Sequence, residues 1–146
     1  MKRLLYPALA GMLLAACQYQ HEEQPAPAPT SGDVELHVEN VAGSSTLALN
    51  TPYTTASGDV FRVSTLTYYL SNLRLLRADG TSWDAPDSYY LIDQATAGSG
   101  NLLLRDVPAG DYTRLLLTIG VDSARNTRGA QTGALDPVHG MFWDWN

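Results

Sequence analysis

Apolar and polar positions alternate through most of the chain from Asp33 onward. Val34, Leu36 and Val38 alternate with Glu35, His37 and Glu39. That period of two marks a half-buried strand, because successive side chains leave opposite faces of the backbone. Thr46–Asn50 and Val60–Val63 read as shorter strands, separated by Pro52 and the Ser57-Gly58-Asp59 turn. Tyr68–Arg77 predicts a longer one, closed by Asp79-Gly80, a hairpin turn pair. Tyr89–Asp93 follows a turn region over Trp83–Pro86, and Asn101–Arg105 precedes the punctuation Val107-Pro-Ala-Gly110. Asp111–Gly120 is the last clear strand.

Turn residues separate these stretches roughly every ten to fifteen positions, the spacing of an all-β protein. Only the first sixteen residues have a helical composition, and Ser64–Leu70 is expected to form at most a short turn. The expected fold is therefore all-β, an antiparallel β-sandwich, with the leucine-rich stretches in its core. The folded domain is expected over residues 33–146.

The N-terminus predicts an address. Lys2 and Arg3 precede a mostly apolar run from Leu4 to Ala16, interrupted by Pro7 and Gly11. Such a run is too short for a mature membrane span and has the layout of a signal peptide. It closes as Leu14-Ala15-Ala16-Cys17, which resembles a bacterial lipoprotein signal. Residues 1–16 are then removed and Cys17 is lipidated. Two or more acyl chains make a stable anchor where one is marginal. Gln18 follows the cysteine, which by the same resemblance favours the outer membrane, with the protein facing the periplasm. Residues 17–32 carry Pro25, Pro27 and Pro29 alternating with Ala26 and Ala28. This stretch favours extended polyproline conformation and reads as a tether. His21 lies in it and is discounted as a site.

Cys17 is the one cysteine, so the domain carries no disulfide and no thiolate ligand. Fifteen acids face nine basic residues, a formal net charge of −6. Loss of Lys2 and Arg3 leaves seven arginines and no lysine. A phosphate-backbone binder shows the opposite balance, so nucleic acid is excluded as a partner class. Docking to anionic lipid through a basic patch is excluded with it.

Enzyme motifs are missing from the sequence. It has no Gly-x-Ser-x-Gly elbow, and Gly98-Ser99-Gly100 lacks the lysine and helix of a phosphate loop. Asp84 and Asp87 read as solvated turn acids rather than a glycosidase pair. Metal chemistry has more support. Imidazole and thioether groups suit copper, and the candidates are His37, His139 and Met141. If residues 139–146 were extended, His139, Met141, Trp143 and Trp145 would share one face. His37, between Glu35 and Glu39 on the polar side of its strand, is free to coordinate. Asp122, Ser123, Asn126 and Asp136 offer oxygen atoms for a harder cation such as calcium, but asparagine and aspartate in turns more often bond their own backbone.

Several segments in order carry a family resemblance: Tyr68-Tyr-Leu-Ser-Asn-Leu-Arg74, Tyr89-Tyr-Leu-Ile-Asp93, Val107-Pro-Ala-Gly-Asp-Tyr112, Ile119-Gly-Val-Asp-Ser123 and Gly129-Ala-Gln-Thr-Gly-Ala-Leu-Asp-Pro137. The ending Gly140-Met-Phe-Trp-Asp-Trp-Asn146 completes the set. Together they resemble the MbnP-like copper-binding domain of methanobactin-associated periplasmic proteins, in its lipoprotein branch. The resemblance implies a β-sandwich that binds copper without turnover. It implies that Trp143 or Trp145 is oxidised to kynurenine by a di-haem, MauG-like partner and joins the copper site, with His37 as a histidine ligand. His139 matches no known ligand position of the family. The family pattern continues past the Trp-Asn pair, so the chain is expected to be a C-terminally truncated fragment with poor solubility. The alternative expectation is a metal-free, non-catalytic β-sandwich that binds a protein or polysaccharide at the cell envelope.

Overall fold

The computed structural model describes residues 30–142. The architecture is all-β and sandwich-like, as the alternation requires, with antiparallel pairing throughout. Ten strands follow in order. They are β1 (Ser31–His37), β2 (Val41–Ala42), β3 (Ser45–Thr46), β4 (Pro52–Thr54), β5 (Val60–Arg62), β6 (Thr67–Arg77), β7 (Ser82–Asp84), β8 (Tyr89–Asp93), β9 (Asn101–Pro108) and β10 (Tyr112–Ile119). A four-residue helix, α1 (Ser123–Asn126), and two 3-10 turns, Gly133–Leu135 and Pro137–His139, follow the last strand.

One layer is the four-stranded sheet built on β6. β10 pairs along one edge of β6, while β7 and β8 share the other edge end to end. The opposing layer is the β1–β9 ribbon. Leu70, Leu73 and Leu75 of β6, Ile92 of β8, and Leu102, Leu104 and Val107 of β9 form the buried cluster between them. Val34 and Leu36 of β1, and Val38 just beyond it, pack against it. The period-two reading of β1 holds: its apolar positions turn inward and Glu35, His37 and Glu39 are exposed. Each fully buried leucine or isoleucine contributes about 1.5–3 kcal/mol.

Bulges interrupt the two long ladders. Asn72 on β6 has φ 53° and Asp106 on β9 has φ 55°. The β1–β9 register shifts between Gly32 and Val34, beside Asp106. A bulge inserts one unpaired residue and resets which side chains face inward. This is how Leu70 and Leu73, three apart, both reach the core. Ser71 and Ser88 are buried at the β6 bulge and satisfied there. Ser71 Oγ donates to the Gly120 carbonyl at 2.7 Å, and Leu73 N donates to Ser88 Oγ at 2.9 Å.

Several elements differ from expectation. Thr46–Asn50 is not a strand: only Ser45–Thr46 pairs, with Val41–Ala42. Pro52 does not break the chain but opens β4, an isolated pair with β5, where its missing N–H costs no ladder bond. Trp83 lies in β7, not in a turn, and Asp84 stands opposite Arg74 and forms an ion pair with it. The leucines of β10 are not core. Leu115, Leu116 and Leu117 are exposed, and Ile119 is 76% exposed, because the β1–β9 layer does not cover that edge.

Candidate metal site

His37 ends β1, directly opposite Asn101, the first residue of β9. The alternation that turns Val34, Leu36 and Val38 toward the core, half-buried, puts His37 outward. Its Nδ1–H donates to Asn101 Oδ1 at 2.6 Å. An amide oxygen only accepts, so in the neutral ring the proton sits on Nδ1 and the second nitrogen, Nε2, carries the lone pair. Among the described residues Nε2 makes no hydrogen bond.

Beside the imidazole lies an open cavity of ≈ 280 Å³, lined by His37, Glu39, Asn40, Asp93, Gln94 and the Gly98–Asn101 turn, among others. Amides brace its wall. Tyr68 OH donates to Asn40 Oδ1 at 2.7 Å, Asn40 Nδ2 to Gln94 Oε1 at 2.8 Å, and Gln94 Nε2 to the Leu47 carbonyl at 2.7 Å. Two carboxylates approach the site. Glu39 accepts from Thr46 Oγ1. Asp93 accepts from Thr96 Oγ1 and Ala95 N, and these bonds hold its pKa below the usual carboxylate value.

The C-terminal candidates lie elsewhere. Pro137–His139 is a 3-10 turn and Gly140 is left-handed with φ 70°. The shared face expected from an extended 139–146 stretch therefore does not begin at His139. The His139 ring donates Nε2–H to the Gly133 carbonyl at 3.2 Å, inside its own loop. Met141 lines a ≈ 40 Å³ cavity with Tyr69, Val121, Asn126, Leu135 and Phe142, among others. That cavity and the one beside His37 share no lining residue. Trp143, Trp145 and Cys17 lie outside the described residues. Among the described residues, no three His, Cys, Asp or Glu side chains are grouped to hold a metal.

A second polar cluster escaped the sequence reading. Asp122 Oδ2 accepts from Tyr89 OH at 2.5 Å and from Asn72 Nδ2 at 3.2 Å, while Oδ1 accepts from Arg125 N at 3.1 Å and caps α1. These bonds, that from Tyr89 foremost, lower its pKa from 3.8 to about 2. Burial first, and then the hydrogen bond to Asp122, raise the Tyr89 pKa. Arg125 pairs with Asp87 at 3.0 Å and stands over the Tyr89 ring at 5.3 Å. Asp87, Tyr89 and Arg125 wall a ≈ 460 Å³ cavity with Gln131 and Leu135, among others. Asp136, the other acid of the oxygen-rich loop, accepts from Val138 N at 2.9 Å. Both acids thus serve their local backbone, the use that competes with a calcium site. The Asp122-to-Arg125 cap was legible as a local motif. Its ties to Tyr89 and Asn72, 33 and 50 residues away, were not.

The MbnP family model matches residues 31–146. No curated protein and no solved structure matches the chain.

Proposed function

The chain belongs to the MbnP family, and from that premise we propose that it is a lipid-anchored copper-binding protein of the bacterial envelope, working without turnover. His37 carries the reading. It is an exposed imidazole whose Nδ1 is already bound to a carbonyl-type oxygen, the partner that metal-ligating histidines use to fix ring orientation. Copper accepts imidazole nitrogen readily, so the donor chemistry at this position fits. Bound copper would supply a soft, redox-capable centre. This chain's own residues would bind and orient it: His37 through Nε2, with Glu39 and Asp93 lending negative charge nearby. Trp143 or Trp145, oxidised to kynurenine by a di-haem MauG-like partner, would complete the donor set. Cys17 would hold the protein to the outer membrane, facing the periplasm.

The test is metal analysis and peptide mass spectrometry on protein purified from its native envelope. The expected result is stoichiometric copper, and a tryptophan side chain that has lost one carbon and gained one oxygen. A His37→Gln variant is expected to lose most of the copper. Metal-free protein with unmodified tryptophans would favour the alternative, a non-catalytic binder of protein or polysaccharide. The feature that supports that alternative is the open cleft of ≈ 310 Å³ lined by Trp83, Pro86, Tyr90, Arg105 and Asp106, among others. Aromatic faces beside charged groups suit such ligands.

A further inference from the structure

We propose that Asn101 is the positioning residue of the His37 site. Its side-chain oxygen holds the imidazole in the Nδ1–H form and so reserves Nε2 for the metal. The inference rests on the copper reading and deepens it.

The first support is the bond itself. At 2.6 Å it is shorter than the usual N–H···O distance of about 2.9 Å. Free histidine in water favours the opposite tautomer, so a fixed acceptor at Nδ1 changes which nitrogen is available. Asparagine does this without adding charge.

The second support is register. His37 and Asn101 are the last cross-strand pair of the β1–β9 ladder. Directly opposed residues bring their Cβ atoms to within about 5 Å, so neither side chain has to stretch. The ladder closes immediately beyond, where Val38 N donates to the Gly100 carbonyl at 2.8 Å.

The third support is the turn that presents Asn101. Gly98 takes φ 80°, a backbone region that glycine enters without cost. Asn101 N donates to the Gly98 carbonyl at 3.0 Å. A Cβ on Gly100 would drive into the Val38 carbonyl oxygen, so only glycine fits where the turn presses on the end of β1. Ser99 ties the turn to β8: its Oγ donates to the Asp93 carbonyl at 2.7 Å and accepts from Asp93 N at 3.1 Å. Gly98-Ser99-Gly100 is the cradle that fixes Asn101 against His37.

Loss of such a partner typically lowers metal affinity 10–100-fold. The test uses the full chain, labelled with ¹⁵N-histidine and stripped of metal, above the titration range of the imidazole. Long-range ¹H–¹⁵N correlation reads the tautomer, and a His37→Gln variant identifies the signal. Nδ1–H is expected in the parent chain and in Asn101→Asp, which keeps the acceptor. Nε2–H is expected to dominate in Asn101→Ala. Titration with copper alone should show affinity about 10–100-fold lower in Asn101→Ala and recovered in Asn101→Asp. An Nε2–H imidazole in the parent chain, or a tautomer that Asn101→Ala leaves unchanged, would overturn the proposal. Equal copper affinity in the parent chain and Asn101→Ala would sink the positioning role alone. Nδ1–H in place with no copper taken up by any variant would instead sink the copper reading.

Discussion

Asp122 joins three parts of the chain through one carboxylate: Tyr89 on β8, Asn72 at the β6 bulge and the first turn of α1. All three partners donate to the ionised form, which is why its pKa falls to about 2 from 3.8. A depressed carboxylate contributes stability that is complete above its unfolded value and disappears as pH falls through the folded one. The contribution of Asp122 should therefore be intact above about pH 4 and fade toward pH 2. Urea unfolding across that window should show an Asp122→Asn variant with a shallower loss of stability than the parent chain. Equal slopes would mean that the carboxylate charge is not the stabilising element. Gly100 makes a different demand, for space alone. Gly100→Ala should cost about 1–3 kcal/mol as an overpacked contact, read as a lower thermal midpoint. It should also perturb the His37 ring signals, although His37 itself is untouched. Sequence showed that His37 is exposed, since Glu35 and Glu39 flank it on the polar side of β1. It did not show Asn101 as its partner, because 64 residues separate them and only the ladder register brings them together.

The strands that alternate or carry dense β-formers were legible. The structure returns β1, β6, β8, β9 and β10 within a few residues of the predicted bounds, as strong period-two patterns allow. Most elements of two to four residues were not, because they are shorter than any period: β7, the β2–β3 pair, α1 and the 3-10 turns; β5, read as Val60–Val63 and found as Val60–Arg62, is the exception. Neither could composition separate the leucines of β9 from those of β10. Leu102 and Leu104 face the opposing layer and are buried, but Leu116 is 48% exposed on an edge strand. The difference should appear in mutants. Leu73, 1% exposed at the centre of β6, should lose about 2–5 kcal/mol on Leu73→Ala, the cost of transfer plus cavity. Leu116→Lys should change stability by no more than about 0.5 kcal/mol and reduce association through the bare edge of β10. Urea midpoints and light scattering measure the two effects. A large destabilisation by Leu116→Lys would show that β10 is covered in solution.

The whole molecule couples an acidic β-domain to its N-terminal segment. Among the described residues no helix is long and apolar enough to cross a membrane. The proposed attachment is tested at Cys17. A Cys17→Ser variant should leave the membrane fraction and appear in the soluble envelope extract. Fractionation with immunodetection measures this, and continued sedimentation with membranes would argue against lipidation at that position. Detached protein should still take up copper at His37, because the binding residues do not include the anchor.

β1 also has a direction. The chain enters at Ser31, where the Thr30 carbonyl accepts from Ala109 N at 2.9 Å beside the last residues of β9, and His37 closes the seven-residue strand. At about 3.3 Å per residue, the imidazole stands roughly 20 Å from the point of entry, at the opposite pole of the ribbon. With the proposed anchor and its tether joined at the Ser31 end, that pole is the one farther from the point of attachment. A donor or acceptor protein could then reach it by diffusing through the periplasm, without first finding the bilayer.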